Sequence, residues 1–498
     1  MRSFSYKLVT AVAVVGLLPL SVAASAQAPP AARSDMTDKA RLIVLTDIGN
    51  EPDDSESMVR LLLYSNDIDI EGLVAATSRH HPKDPRLELI RRRVDAYGAV
   101  LANLRKHDRR YPDAEVLRGR MLSGSPVYGM SGVGAGKDTA ASRLIIAAVD
   151  RPDPRPVWVA GWGGVADLAQ ALWTVRETRP PEEVKRFVGK LRVYTISDQD
   201  DAGPWARAFF PELFWVTNVH AFTNYQFGTW LGISAPAQGA DQEPVSPEWL
   251  AANIRAKGPL GALYPLPAYI MEGDTPSFLS LIPNGLNVPQ RPDWGGWGGR
   301  YGKVSNALGL WSTTADEVQG SDGKPYTTPQ ATIWRWRPAF QNDFAARMQW
   351  SVTPDFKQAN HAPAPRLNGR SGPEPVAIEA CPGKPITLSA DGSSDTDGDR
   401  LSYRWWWYRE ATGLFAPQVT LSADSGGTTT VRVGDTARVD QFTPPSSYTL
   451  HVILEATDDG APQLTSYRRA LITVPGADSG TPAPACAVRP IAPTHEDE

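Results

Sequence analysis

Leu45-Thr46-Asp47-Ile48-Gly49-Asn50-Glu51-Pro52-Asp53-Asp54 ends a short apolar run, residues 42–46, and leads into a helix-like run, residues 55–64. A strand that feeds a helix through a polar turn is the beginning of a βα unit, and this turn carries three aspartates. Asp47 leaves the strand end, Gly49 permits a tight backbone turn, and Asp53 and Asp54 open the helix, so the three carboxylates can converge. Converging carboxylates repel one another unless a cation neutralises them. A hard, oxygen-seeking ion such as Ca²⁺ suits carboxylate ligands without cysteine or clustered histidine, and it tolerates irregular coordination. Helix capping is the competing reading, because acidic residues stabilise a first turn. Capping accounts for one aspartate, not for three.

The same alternation continues outward. Apolar runs at 70–77, 157–160 and 191–196 are followed or preceded by helix-like runs at 87–104, 165–174 and 205–210. This βαβ rhythm predicts an α/β fold, a mostly parallel sheet with helices on both faces, whose functional groups collect at the carboxyl ends of the strands. Residues 226–341 break the rhythm and are rich in Gly, Pro and Trp, which predicts long ordered loops over the sheet rim. A Pro/Ala-rich linker is expected at 360–366. Beyond it, short alternating runs at 386–389, 401–408, 428–433, 448–457 and 469–474 predict an antiparallel β-sandwich. The expected organisation is a catalytic domain over 41–359, a sandwich over 367–478 and a tail over 479–498.

At the other end, Arg2 and Lys7 precede an apolar run that finishes in Ala24-Ser25-Ala26, the pattern of a cleaved signal peptide over 1–26. A flexible leader over 27–40 would follow, and the mature protein would be periplasmic or secreted. No later stretch is apolar enough for a membrane span. The net charge of −5, with no basic block, argues against a nucleic-acid partner. The two cysteines, Cys381 and Cys486, flank the sandwich and are expected to form a disulfide in an oxidising compartment, two unrelated thiols being the alternative.

The aspartate-rich stretch resembles the N-terminal signature of nucleoside hydrolases, in which a strand runs into Asp-x-Asp-x-Gly-x-Asp-Asp before a helix. Carried over by position, the resemblance makes Asp47 and Asp54 calcium ligands and Asp53 the base that activates the attacking water. Here the turn is longer, with Asn50-Glu51-Pro52 where the family has one residue. The segment from Val157 through Gly161-Trp162-Gly163-Gly164 to Ala169 is similar to the family's strand-turn-helix segment, which would make the Ala160 carbonyl a ligand. Ser197-Asp198-Gln199-Asp200-Asp201 falls where that family holds sugar hydroxyls, a solvated acidic loop being the alternative. Glu272-Gly273-Asp274-Thr275-Pro276 resembles the late His-Asp-Pro segment; Asp274 would complete the calcium shell, and Gly273 stands where the family has its histidine.

Taken whole, the chain resembles a bacterial family with a nucleoside-hydrolase-like domain and a C-terminal sandwich, named after a cellulose-binding protein. Asn284-Gly285-Leu286-Asn287 and Asp293-Trp294-Gly295-Gly296-Trp297 fit that resemblance and supply aromatic faces beside hydrogen-bonding groups. Asn287, Asp293, Trp294 and Trp297 are therefore candidate carbohydrate contacts, with core packing of the tryptophans as the alternative. In the sandwich, Asp391 to Asp399 resembles a loop of PKD and cadherin-like modules, and a plain Asx/Gly turn competes with a second Ca²⁺ site there. The tryptophans 405–407 lie in a predicted strand and alternate faces, one inward and one open to a glycan. The expected function is calcium-dependent hydrolysis of a glycosidic bond in a carbohydrate or glycoside. A true nucleoside N-ribohydrolase and a non-catalytic carbohydrate-binding protein are the alternatives.

Overall fold

The computed structural model describes residues 39–219, 224–380, 383–413, 416–434 and 447–475, and a short strand, Arg489–Pro490. The expected signal peptide, the leader up to residue 38, Cys381 and Cys486 lie outside the described residues. Among the described residues no helix is long and apolar enough to cross a membrane.

The first half is an eight-stranded sheet: β1 (Ala40–Thr46), β2 (Ile68–Ala75), β3 (Met121–Ser123), β4 (Val157–Gly161), β5 (Leu191–Thr195), β6 (Phe214–Thr217), β7 (Tyr301–Lys303) and β8 (Leu310–Thr313). Their order is β3-β2-β1-β4-β5-β6-β8-β7, parallel throughout except for β7 against β8. Helices α1 (Asp53–Leu63) and α2 (Leu87–His107) follow β1 and β2. A strand covered on both faces must be apolar at every position, and Leu42, Ile43, Val44 and Leu45 are all fully buried. Their side chains alternate: Leu42 and Val44 join one core, Ile43 and Leu45 the other. The register slips in β2, where Leu42 faces Ile70 but Ile43 faces Gly72. The odd residue, Glu71, is buried and takes a bidentate ion pair from Arg41, at 2.7 and 3.1 Å.

The irregular segment 226–341 is not wholly loop. It contains β7 and β8 and a separate hairpin, β9 (Asp316–Gln319) with β10 (Pro325–Thr328), and it ends in a helix, Arg337–Val352. The C-terminal part has β11 (Val376–Glu379), β12 (Ile386–Ser389), β13 (Ser402–Trp407), β14 (Val419–Leu421), β15 (Thr428–Val433), β16 (Ser447–Thr457), β17 (Thr465–Pro475) and β18 (Arg489–Pro490). They form sheets of order β13-β16-β17-β11-β18 and β12-β15-β14. All pairs are antiparallel except β11 with β17. Trp405 fills the sandwich core, whereas Trp406 packs on Trp336 at 5.8 Å and Trp407 donates to Thr412. Trp406 and Trp407 are both partly buried.

The sandwich shares a core with the parallel-sheet part. Tyr408, Ile453 and Tyr467 belong to the same buried cluster as Trp297, Trp336 and Phe340. Buried Arg469 donates to the carbonyls of Leu286 and Gly295 at 2.8 and 2.9 Å. The 360–366 connection is pinned rather than free: Asn360 and His361 are buried, Asn360 donates to Asp458, and His361 meets Asp397.

Candidate functional site

The carboxyl end of β1 places the acidic stretch where the alternation predicts it. Asp47 is buried, and one of its oxygens accepts from the Ser78 hydroxyl beyond the end of β2. Asp54, in the first turn of α1, is buried and accepts from Thr46. Asp274 arrives from a distant turn held by a buried network: the Arg60 guanidinium donates to Glu272 at 3.0 Å, and Tyr264 and Thr275 donate to the same carboxylate at 2.7 and 2.8 Å. Asp53, Asp54 and Asp274 each bring an oxygen within 4.8 Å of the others. Glycines leave room for them. A Cβ on Gly273 would stand 2.8 Å from Asp53 Oδ2, and one on Gly163 would stand 2.7 Å from Asp47 Oδ1. The absence of a side chain at residue 273 leaves this space to Asp53.

The electrostatics of the cluster are those of crowded acids. Burial, and then Asp47 and Glu51, push the Asp53 carboxyl up to about 7. Burial and the neighbouring aspartates hold Asp54 and Asp274 well above the usual carboxylate range. Burial raises Asp47 as well, with Ser78 opposing the shift. Among the described residues no lysine or arginine forms an ion pair with any of the four. Asp53 Oδ1 and Asp274 Oδ2 are buried without a hydrogen-bond partner. Orphaned carboxylate oxygens in a set made only of oxygen donors fit a hard divalent cation.

Asp53 and Asp274 open onto a cleft of about 230 Å³, which Glu51, His80, Ser197, Gln199, Tyr225, Trp230, Tyr269 and Ile270 also line. Gln199 donates to the Trp162 carbonyl at 2.7 Å and leaves its own Oε1 buried and unpartnered. Tyr269 is 97% exposed and sits at φ +67°, a conformation L residues rarely keep without purpose. Sequence reasoning passed over His80, Tyr225, Trp230 and Tyr269. His80 carried a signal, because it follows the carboxyl end of a parallel strand; the three aromatics lie in segments without a readable period.

Other expected contacts have structural duties. Asp198 makes a bidentate ion pair with Arg207 at 2.6 and 2.8 Å. Buried Asp200 accepts from the Val165 and Ala202 amides at the starts of two helices, and burial pushes its carboxyl up to about 7. Asn287 ties the carbonyls of Leu279 and Ile282 to the Trp297 amide. Trp297 is buried against Phe340 and Tyr467. Trp294 meets His451 edge-on at 4.9 Å, and Asp293 pairs with Arg291. The Gly/Trp segment thus serves the junction with the sandwich instead of the cleft. Ala160 lies within the sheet, opposite Val44 and Tyr194, and the first carbonyl past the ladder is that of Trp162.

A family model described as the cellulose-binding Sde182 nucleoside hydrolase-like domain matches residues 41–301. A second, the C-terminal domain of cellulose-binding protein Sde0182, matches residues 385–474. No curated protein matches this chain. A solved structure of a nucleoside hydrolase-related hypothetical protein from Saccharophagus degradans, described as associated with carbohydrate metabolism, is 35% identical. The alignment covers 87% of this chain and 99% of that one, with a TM-score of 0.74. With its parallel sheet, acidic strand-end cluster and appended sandwich, the chain belongs to the Sde182 cellulose-binding family with a nucleoside-hydrolase-like domain.

Proposed function

We propose that this protein is an exported, calcium-dependent hydrolase of glycosyl bonds, acting on a carbohydrate or glycoside. The observation that carries the reading is Asp53, a carboxylate at the cleft with one orphaned oxygen, backed by three buried aspartates. Asp53 takes the proton of the attacking water, while Asp47, Asp54 and Asp274 would hold Ca²⁺. When bound, the ion supplies a fixed positive charge that orients water and vicinal hydroxyls. Attack by a single activated water inverts the anomeric centre. Tyr225, Trp230 and Tyr269 give the cleft aromatic surface suited to the apolar face of a sugar ring.

The test is sugar release from a panel of glycosides and nucleosides, furanosides first, with and without chelator. Asp53→Asn should keep calcium and lose about 10²- to 10⁴-fold in turnover, the usual range for a general base. Full activity of that variant would remove the assignment. The family's description as cellulose-binding favours a second reading, a carbohydrate-binding protein without turnover. In that case Asp53→Asn still binds glycan, and the unmodified protein releases no sugar.

A further inference from the structure

We propose that His80 is the proton donor to the leaving group, with Tyr225 as the residue that positions its ring; the assignment rests on the hydrolase reading above. Hydrolysis with inversion needs an acid as well as a base, and Gly273 provides none. His80 is the one histidine among the described residues that lines the cleft with Asp53 and Asp274. A single device places it there. The Ser78 hydroxyl donates to Asp47 and accepts the amides of His80 and His81, both at 2.9 Å. The turn is closed by Ser78 N–H to the His81 carbonyl at 3.0 Å and tied down by Arg79 N–H to the Gln199 carbonyl at 2.7 Å. The serine that grips Asp47 therefore also fixes the turn that presents the imidazole.

The ring is held on both edges. Its Nε2 meets the Tyr225 hydroxyl at 3.1 Å, and its Nδ1 lies 4.0 Å from the Glu51 carboxylate. Glu51, Tyr225 and Tyr269 are the other titratable side chains that line the cleft beside the aspartates. In the reaction, water oxygen bonds to the anomeric carbon and gives its proton to Asp53. The glycosidic C–O bond breaks with its electron pair going to the leaving oxygen, which takes the Nε2 proton in place of the Tyr225 contact. Exchange with solvent then resets both groups.

Leaving-group chemistry separates this role from a structural one. On the full chain with calcium, matched p-nitrophenyl and methyl glycosides of the same pentofuranoses and hexopyranoses are compared. A p-nitrophenolate leaves without help; an alkoxide does not. His80→Gln should lose at least about 100-fold in kcat/KM on the methyl glycoside and less than about tenfold on the aryl one. His80→Asn, run alongside with a melting curve and calcium titration for each variant, carries the same expectation. Tyr225→Phe should show the same split, more weakly. Equal losses on both substrates overturn the donor assignment while leaving Asp53 and calcium intact. Turnover of neither substrate by the unmodified protein overturns the hydrolase reading and the donor together.

Discussion

At the residue scale, the cluster's defining property is that its acids are worse off ionised in the folded chain than in the unfolded one. A carboxyl whose folded pKa is raised binds more protons folded than unfolded between the two values, so its contribution to stability falls as pH rises through that window. For Asp53 the window runs from about 4, the unfolded value, to about 7. Chelator-treated protein should melt at a higher temperature at pH 5 than at pH 8, and millimolar Ca²⁺ should raise the melting temperature more at pH 8. Equal calcium shifts at both values would count against these ligands. Space matters as much as charge. A Cβ on Gly163 falls 2.7–2.8 Å from three atoms of Asp47, so the whole carboxylate must move. Gly163→Ala should weaken calcium binding by about 10- to 100-fold, the usual cost of disturbing a ligand's support, read by calorimetric titration.

At the scale of elements, the hairpin β9–β10 shows how ion pairing fastens irregular chain. Asp316 is fully buried between Arg300 at 2.6 Å, Arg335 at 2.9 Å and the Tyr408 hydroxyl at 2.6 Å. Burial alone would push its carboxyl up; the Arg335 and Arg300 guanidiniums outweigh that and hold it below the usual range. Removing one partner of a buried pair leaves the others uncompensated, so Asp316→Ala should cost about 3–5 kcal/mol by denaturant unfolding. Chemistry at the distant acidic cleft should survive in whatever fraction stays folded. Strands β1, β4 and β5 and helices α1 and α2 were legible because period and burial agree along them. Strands β7 to β10 were not, since their side chains are half-exposed and their pairing depends on partners far along the chain.

At the scale of the molecule, the sandwich completes the core rather than hanging from it. Gly285, at φ +84°, packs so closely on the Tyr467 carbonyl that a side chain there would overlap it. Gly285→Ala should therefore destabilise the whole protein, by about 1–3 kcal/mol from backbone strain alone. Calorimetry of the intact chain should show one cooperative transition. A truncation at residue 360 exposes the face formed by Trp297, Trp336 and Phe340 and should yield aggregated or early-melting protein. Two separate transitions, or a well-behaved truncated fragment, would restore a picture of independent domains.

The sequence by itself determined the α/β class and the strand-end position of Asp47, Asp53 and Asp54, because these follow from local period and from chemistry within a few residues of a strand terminus, whereas Asp274 was reached only through the resemblance of its turn to a family segment. Only the tertiary structure decided which polar and aromatic residues share the cleft. Asn287, Trp294 and Trp297 have a composition suited to sugars, yet they are consumed by the junction with the sandwich. His80, Tyr225 and Tyr269, unremarked in the chain, are brought to Asp53 by a strand-end turn and by loops. The physical reason is that burial of an aromatic face is settled by what packs on it from elsewhere in the chain, and local sequence carries no record of that partner.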